Sequence, residues 1–240
     1  MFLLGDVHGE KHLFNSFVNS EETICLQLGD FGFCWDPEDL QKCKFMNQFE
    51  KSYPDKMILT ILGNHENYDL IKRFSTVPFM GGKARRLRQN IYALERGEVF
   101  EIEGYVCLAL GGADSLDRYS RTQGIDWWPD EGITLKNISM AIKNVHRKAG
   151  GHVDLVFTHC LPYCMMHNFM PERTIFGNSE HLLDSLVDNP YVQFDEWYAG
   201  HIHVTKNYRN FHTLGIGKHL ILPPKTPAPQ PEEAGETEQA

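Results

Sequence analysis

The segment Met1-Phe2-Leu3-Leu4-Gly5-Asp6-Val7-His8-Gly9 predicts a short buried strand that ends at a glycine, a carboxylate and an imidazole. A short apolar run closed by a glycine is typical of a strand that is covered on both faces. Two later apolar runs, at residues 23–28 and 57–62, also end at a glycine, followed by Asp30 and Asn64. The chain therefore predicts parallel strands whose polar site residues gather at one edge of a sheet.

The remaining elements alternate with these strands. Helical periodicity predicts helices at residues 11–19, 39–53, 138–148 and 181–187. Short β-rich runs predict antiparallel strands of a second sheet at residues 91–94, 99–102 and 105–110. Later strands are expected at residues 153–157 and within 206–211 and 220–222. The predicted fold class is α/β, with two sheets packed face to face and helices outside.

Composition bounds the organisation and the partners. The chain has 240 residues, of which 42% are hydrophobic and 23% charged, as expected of an ordinary globular protein. We predict one domain over residues 1–222 and a disordered tail over residues 223–240, because the tail is rich in Pro and Glu and lacks apolar anchors. The formal net charge of -9 argues against a protein that coats nucleic acid.

The sequence also carries signals about cellular location and membrane contact. No apolar run approaches the roughly 18 residues of a membrane span, so no membrane partner is expected. Six cysteines without a paired spacing, and a start without a basic leader segment, predict a cytoplasmic protein with reduced thiols. The sequence does not predict an oligomeric state.

Eight polar side chains in five short blocks carry the predicted chemistry. Carboxylate, imidazole and amide ligands together suit manganese, iron or zinc ions. Each block alone has an ordinary explanation, since Asp and Asn are common in turns and helix caps. Their joint order along one chain favours a metal centre with seven candidate ligands and His65 as the candidate catalytic acid. The seven are Asp6, His8, Asp30, Asn64, His159, His201 and His203.

The blocks Asp6-x-His8, Gly29-Asp30, Gly63-Asn64-His65-Glu66, His159 and Gly200-His201-x-His203 resemble the calcineurin-like metallophosphoesterase superfamily. The resemblance covers about residues 1–222 and implies a four-layer α/β/β/α sandwich of two mixed sheets flanked by helices, with a dinuclear metal centre. It implies that one ion is held by Asp6, His8, Asp30 and His203. It implies that the other is held by Asp30, Asn64, His159 and His201, with Asp30 bridging.

The implied activity is metal-dependent hydrolysis of phosphate mono- or diesters. Two divalent ions, with manganese favoured over iron or zinc, would clamp the phosphoryl oxygens and acidify a bridging water. The resulting hydroxide would attack phosphorus in line with the leaving group. Asp30 and His65 are the predicted catalytic residues, and His65 would bind the phosphate and protonate the leaving oxygen.

Departures from the family pattern narrow the substrate. The protein serine/threonine phosphatase branch carries an aspartate where this chain has Phe33, and an arginine where it has Leu62. A small phosphate ester or a nucleotide is therefore expected rather than a phosphoprotein, with nucleic acid less favoured. The carboxylate that orients the catalytic histidine in that branch is missing, and Glu66 or Asp69 is the predicted substitute. The segments Gly111-Gly112 and Trp127-Trp128 resemble those of bacterial and phage members of the superfamily, which predicts an enzyme of that type.

The segment 111–128 is the predicted substrate rim. Arg118 and Arg121 could clamp a phosphate bidentately or form surface ion pairs. Trp127 and Trp128 could stack on a base, although packing is favoured, and the basic cluster at residues 83–88 predicts an exposed loop. Two alternatives stay open: a phosphodiesterase or nuclease for nucleotides or nucleic acid, and a catalytically silent metal-binding interaction module.

Overall fold

The structure is a computed structural model that describes residues 1–35 and 43–226. Its strands are β1 Phe2–Leu4, β2 Ile24–Gln27, β3 Met57–Thr60, β4 Thr76–Phe79, β5 Gly82–Arg88, β6 Ile91–Leu94, β7 Glu98–Ile102, β8 Tyr105–Leu110, β9 His152–Thr158, β10 Gln193–Ala199, β11 Lys206–Tyr208, β12 Phe211–Thr213 and β13 His219–Ile221. Its helices are α1 Asn15–Val18, α2 Lys44–Ser52, α3 Tyr68–Ile71, α4 Leu135–Ala149, α5 Tyr163–Phe169 and α6 Asn178–Val187. Short 3₁₀ turns occupy Lys11–Phe14, Arg118–Ser120 and Pro129–Glu131.

The strands form two mixed sheets. The first has the order β13-β1-β2-β3-β6-β5-β4, with β1, β2, β3 and β6 parallel. The second has the order β11-β12-β10-β9-β8-β7, with β8, β9, β10 and β12 parallel. Antiparallel strands lie outside each parallel group, and the parallel strands of each sheet end at a common edge.

Three apolar clusters separate the layers. The central cluster joins the two sheets through residues such as Leu3 and Leu59 of the first and Phe157 of the second. One outer cluster packs α2 and α3 on the first sheet, and the other packs α4, α5 and α6 on the second. The predicted four-layer α/β/β/α architecture is therefore confirmed.

Helix α4 shows why the local sequence folds as it does. Thr134 and Asn137 form a reciprocal capping box at its start, and Gly150 ends it in a left-handed conformation with φ 62°. These signals satisfy the backbone groups that a helix end leaves open. The predicted helix at residues 138–148 is confirmed, with an extra turn at its start.

Some predicted elements are corrected. The run Ile91–Leu94, expected in the second sheet, pairs parallel with β3 in the first. The basic cluster at residues 83–88, expected as an exposed loop, forms β5. The predicted helix 11–19 is split into a 3₁₀ turn and α1, and residues 39–42 of the predicted helix 39–53 lie outside the described residues.

The start of the predicted tail packs on the second sheet. Lys225 pairs with Asp154 at 2.5 Å, and its backbone N–H donates to the carbonyl of Glu103 at 3.1 Å. The hydroxyl of Tyr105 donates to the carbonyl of Pro223. Residues 227–240 lie outside the described residues. Among the helices that the structure describes, none has both the length and the apolar character needed to cross a membrane.

Candidate metal centre

The predicted ligands follow the ends of parallel strands from both sheets. Asp6 follows β1, Asp30 follows β2 and Asn64 follows β3, all in the first sheet. In the second sheet, His159 follows β9, and the segment His201–His203 follows β10. The face-to-face packing of the sheets brings the two sets of loops together at one end of the sandwich.

We call Asp6, His8, Asp30 and His203 the first ligand group. One potential ligand atom from each of these four residues lies within 4.8 Å of the others. His203 Nε2 is 3.1 Å from Asp6 Oδ2, and His8 Nε2 is 3.8 Å from Asp30 Oδ2. The four residues that the sequence assigns to one ion therefore converge.

We call Asp30, Asn64, His159 and His201 the second ligand group. His159 Nε2 lies 3.3 Å from both Asp30 Oδ1 and Asn64 Oδ1. The rings of His159 and His201 are 5.0 Å apart between centroids. Asp30 thus presents Oδ2 toward His8 of the first group and Oδ1 toward His159 of the second.

Backbone geometry is unusual at these loops. His8, Asp30, His201 and His203 all have positive φ, between 46° and 64°. Left-handed backbone costs a non-glycine residue about 1–2 kcal/mol, so these positions store strain. Such strain concentrates at functional sites, where the surrounding fold holds side chains in a required direction.

A cavity of about 320 Å³ opens onto both groups. Its lining includes Asp30, Asn64, His201 and His203, together with His65 and Arg121. The backbone N–H of His65 donates to Asp30 Oδ1 at 2.8 Å, and its ring Nδ1 lies 3.3 Å from Arg121 Nη1. The predicted catalytic histidine therefore faces the same space as the predicted ligands.

A family model for the calcineurin-like phosphoesterases matches residues 2–205. The chain belongs to this family. The predicted resemblance is therefore confirmed. No curated protein matches the sequence.

The solved structures that resemble the chain include the sulfate thiohydrolase SoxB of Thermus thermophilus in complex with glycerol. SoxB shares 10% sequence identity with this chain, and the two structures superpose with a TM-score of 0.36. The alignment covers 88% of this chain and 38% of SoxB, so the chain spans well under half of that protein. A TM-score this low adds nothing about substrate.

The electrostatics of the candidate centre fit divalent cations. Burial alone would raise the pKa of Asp30, but the neighbouring His159 outweighs it and holds that pKa well below its usual range. Burial alone would lower the pKa of His159, but the neighbouring Asp30 outweighs this effect and raises that pKa to about 9. A hydrogen bond with Asp6 raises the pKa of His203. The Asp30 carboxylate is thus ionised and buried beside a group that compensates its negative charge.

The orientation of His159 also fits a metal ligand. Its Nδ1 is 2.7 Å from the carbonyl of Leu28, an acceptor, so Nδ1 carries a proton and donates it. This leaves Nε2 directed at Asp30 and Asn64. A ligating imidazole in proteins typically donates its other nitrogen to a carbonyl or carboxylate in this way. Asn64 is fixed similarly, because its amide nitrogen donates to Ser115 Oγ and its oxygen faces His159.

Of the two arginines predicted to contact the substrate, the structure places only Arg121 at the cavity. Arg121 lines the cavity, whereas Arg118 is not among the lining residues and lies over the ring of its neighbour Tyr119 at 5.1 Å. Trp128 is buried and contacts Trp35 edge-on, so the packing alternative for that tryptophan is confirmed.

The predicted orienting carboxylates are used elsewhere. Glu66 accepts hydrogen bonds from the backbone N–H groups of Phe31 and Gly32, and Asp69 accepts one from the Trp128 indole. The side chain that approaches a ring nitrogen of His65 is that of Arg121, while the ring of His8 meets the His65 ring edge-on at 5.3 Å. The expected substitution of Glu66 or Asp69 for the missing carboxylate is therefore wrong.

Arg173 is a cavity residue that the sequence analysis missed. It lines the cavity and pairs with the buried Glu180 at 2.8 Å, while its Nε donates to the carbonyl of Ile175. No motif surrounds it, and its approach to the ligands depends on the path of the loop between α5 and α6. Only the folded chain reveals this second cavity arginine.

Proposed function

We propose that this phosphoesterase hydrolyses phosphate mono- or diesters of small molecules or nucleotides with the help of two divalent metal ions. The observation that carries the proposal is the position of Asp30, whose two oxygens face two separate ligand groups. The first ligand group would hold one ion and the second ligand group the other, with Asp30 shared. Manganese is the favoured ion, since the donors are carboxylate, imidazole and amide groups without a thiolate.

When bound, the ions would supply Lewis acidity toward the phosphoryl oxygens and would lower the pKa of coordinated water. The chain's own groups would complete the chemistry. His65 lines the cavity and would donate a proton to the leaving oxygen. Arg121 and Arg173 line the same cavity and supply positive charge close to where a phosphate ester would bind.

Assays with two chromogenic substrates test this proposal. Protein prepared with Mn²⁺ should hydrolyse p-nitrophenyl phosphate, bis-p-nitrophenyl phosphate or both, and EDTA should abolish the turnover. Asp30→Asn should remove it as well, because the shared carboxylate is lost. Asp154→Asn is the matched control, since Asp154 is also buried but lies near the start of β9, at the opposite end of that strand from His159.

The pattern of turnover separates the alternatives. Strong preference for the diester, extended to nucleotide or nucleic-acid esters, would favour the phosphodiesterase or nuclease. Failure to hydrolyse any of these esters, with stoichiometric metal bound, would contradict catalysis and favour the silent interaction module. The presence of His65 and of every predicted ligand supports an active enzyme over that module.

A further inference from the structure

Arg121 is held tightly beside His65. Its Nη1 lies 3.3 Å from His65 Nδ1 and 3.2 Å from the carbonyl of Asp126. Its Nη2 donates to Asp117 Oδ2 at 2.8 Å. The side chain of Arg121 is 16% exposed although it comes from a loop. The three contacts together hold the guanidinium against the imidazole.

The chemistry of this contact determines where His65 carries its proton. A guanidinium has only N–H donors and no acceptor. The short approach of Arg121 therefore requires Nδ1 of His65 to be the acceptor. In a neutral imidazole with an acceptor at Nδ1, the proton is on Nε2. Arg121 thus selects one tautomer and orients the ring at the same time.

We propose that Arg121 is a positioning residue that holds His65 as the Nε2–H tautomer for proton donation, and that Asp117 holds Arg121 in place. In this step the Nε2–H bond breaks as the leaving alkoxide oxygen gains the proton. The imidazolate that remains keeps the Arg121 hydrogen bond at Nδ1 until water protonates Nε2 again. The inference rests on the proposed role of His65 as the proton donor to the leaving group. It assigns to an arginine the orienting task for which the sequence predicted Glu66 or Asp69. It also differs from a phosphate clamp, because three of the five guanidinium N–H donors already contact His65, Asp126 and Asp117.

The leaving group distinguishes positioning from substrate binding. A p-nitrophenolate leaves without much help from a proton, whereas an alkoxide needs one. Arg121→Ala should therefore lower kcat for an alkyl phosphate ester at least about tenfold more than for the matching p-nitrophenyl ester, because acid catalysis is worth ~10²–10⁴ in rate. KM should change little for either ester. An equal rise in KM for both, with kcat intact, would overturn the proposal and make Arg121 a substrate ligand.

Coupling to His65 gives a second measurement. If Arg121 acts through His65, then Arg121→Ala should cost almost nothing further in the His65→Gln background, because the two residues act as a unit. Additive losses would contradict the proposal. Arg121→Lys should recover only part of the activity, since one ammonium cannot reproduce the planar fork between His65 and Asp117.

Arg85→Ala is the matched control. Arg85 is a partly buried arginine, paired with Glu95 at 2.9 Å and bonded to backbone carbonyls, and it does not line the catalytic cavity. Losing Arg85 tests the cost of removing a partly buried ion pair as such. Thermal melting and metal content of each variant show whether it is folded and loaded.

Nitrogen NMR of the imidazoles tests the contact without any turnover. In metal-free protein, the His65 signal, assigned by its absence in His65→Gln, should show a protonated Nε2 and an unprotonated Nδ1. Arg121→Ala should shift it toward a mixture of tautomers, whereas Arg85→Ala should not. A wild-type signal with the proton on Nδ1 would overturn the inference, even if the enzyme hydrolyses esters. Absent hydrolysis with the expected tautomer would instead contradict the proposed function alone.

Discussion

At the scale of single residues, the charge and orientation of each site side chain depend on its immediate partners. Asp30 is 1% exposed, yet it stays ionised because His159 lies 3.3 Å from one of its oxygens. Burial lowers the pKa of His65, which favours the neutral ring that its contact with Arg121 requires. The sequence identified both residues from their glycine-flanked blocks. It could not identify Arg121 as the neighbour of His65, because that contact joins loops that follow different sheets.

The role of His65 leads to a first prediction. His65→Gln should retain both metal ions and lower kcat by ~10²–10⁴, because the ring donates a proton and does not ligate. Metal content by mass spectrometry and steady-state kinetics on an alkyl ester measure the two parts. His146→Gln, on the exposed side of α4, is the control and should behave like wild type. A His65→Gln variant with full turnover would contradict the assigned role.

The contact of Lys225 with Asp154 leads to a second prediction. Burial tends to raise the pKa of Asp154, but the hydrogen bonds from Lys225 and from the Val106 N–H outweigh it and lower that pKa. A carboxyl whose pKa is lower in the folded state stabilises the protein above its unfolded pKa of about 3.9 and loses that contribution as the pH falls below it.

Asp154→Asn should therefore reduce the free energy of unfolding at pH 7 by about 1–3 kcal/mol, the usual worth of hydrogen bonds to a charged group. The difference from wild type should shrink as the pH falls below about 4. Urea titrations across pH 3–7 measure it. Asp195→Asn, an exposed carboxylate on β10, should show a much smaller effect. A difference independent of pH would rule out ionised Asp154 as its source.

At the scale of secondary-structure elements, the positions of the site loops depend on glycines that allow the backbone to approach the carboxylates closely. A Cβ on Gly63 would lie 2.1 Å from Asp30 Oδ1, and one on Gly200 would lie 2.2 Å from Asp6 Oδ1. These glycines let the loops after β3 and β10 approach the carboxylates. The sequence indicated that the site needs glycine. The sequence analysis assigned Ile91–Leu94 to the wrong sheet. A short buried apolar strand carries no local signal that shows which of two sheets it will join.

The close approach at Gly200 leads to a third prediction. Gly200→Ala should displace the Asp6 carboxylate and lower metal affinity, with metal binding measured by calorimetry. Gly82→Ala is the matched control, because a Cβ there also meets a close atom, 2.6 Å away on the Phe100 ring, but lies within β5. It should lower thermal stability and leave the metal stoichiometry unchanged. Equal metal affinity in Gly200→Ala and wild type would contradict this explanation of the glycine.

The whole molecule brings two sheets together so that each supplies part of one centre. The first sheet carries Asp6, Asp30 and Asn64, and the second carries His159 and the segment His201–His203. Neither sheet alone holds a complete ligand group. The sequence predicted this convergence because polar residues follow parallel strands, but it could not predict the cavity walls, which depend on how loops such as that of Arg173 pass over the edge.

This division between sheets leads to a fourth prediction. Mn²⁺ should raise the melting temperature, because a ligand that binds only the folded state adds about 2.7 kcal/mol at one hundred times its dissociation constant. His203→Ala should reduce the shift, and Asp30→Asn should abolish it. His152→Ala should keep it: His152, Asp154 and Asp195 also cluster within 4.8 Å, but Asp154 is already paired with Lys225. An undiminished shift in Asp30→Asn would place the ion elsewhere.

The left-handed backbone at His8, Asp30, His201 and His203 has a consequence for directed evolution. Glycine and asparagine adopt that conformation more cheaply than histidine or aspartate, so replacing a ligand would return about 1 kcal/mol to folding. Variants selected in the laboratory for thermal stability alone would therefore lose these histidines and become more stable but inactive. Only a demand for turnover in each round would preserve them.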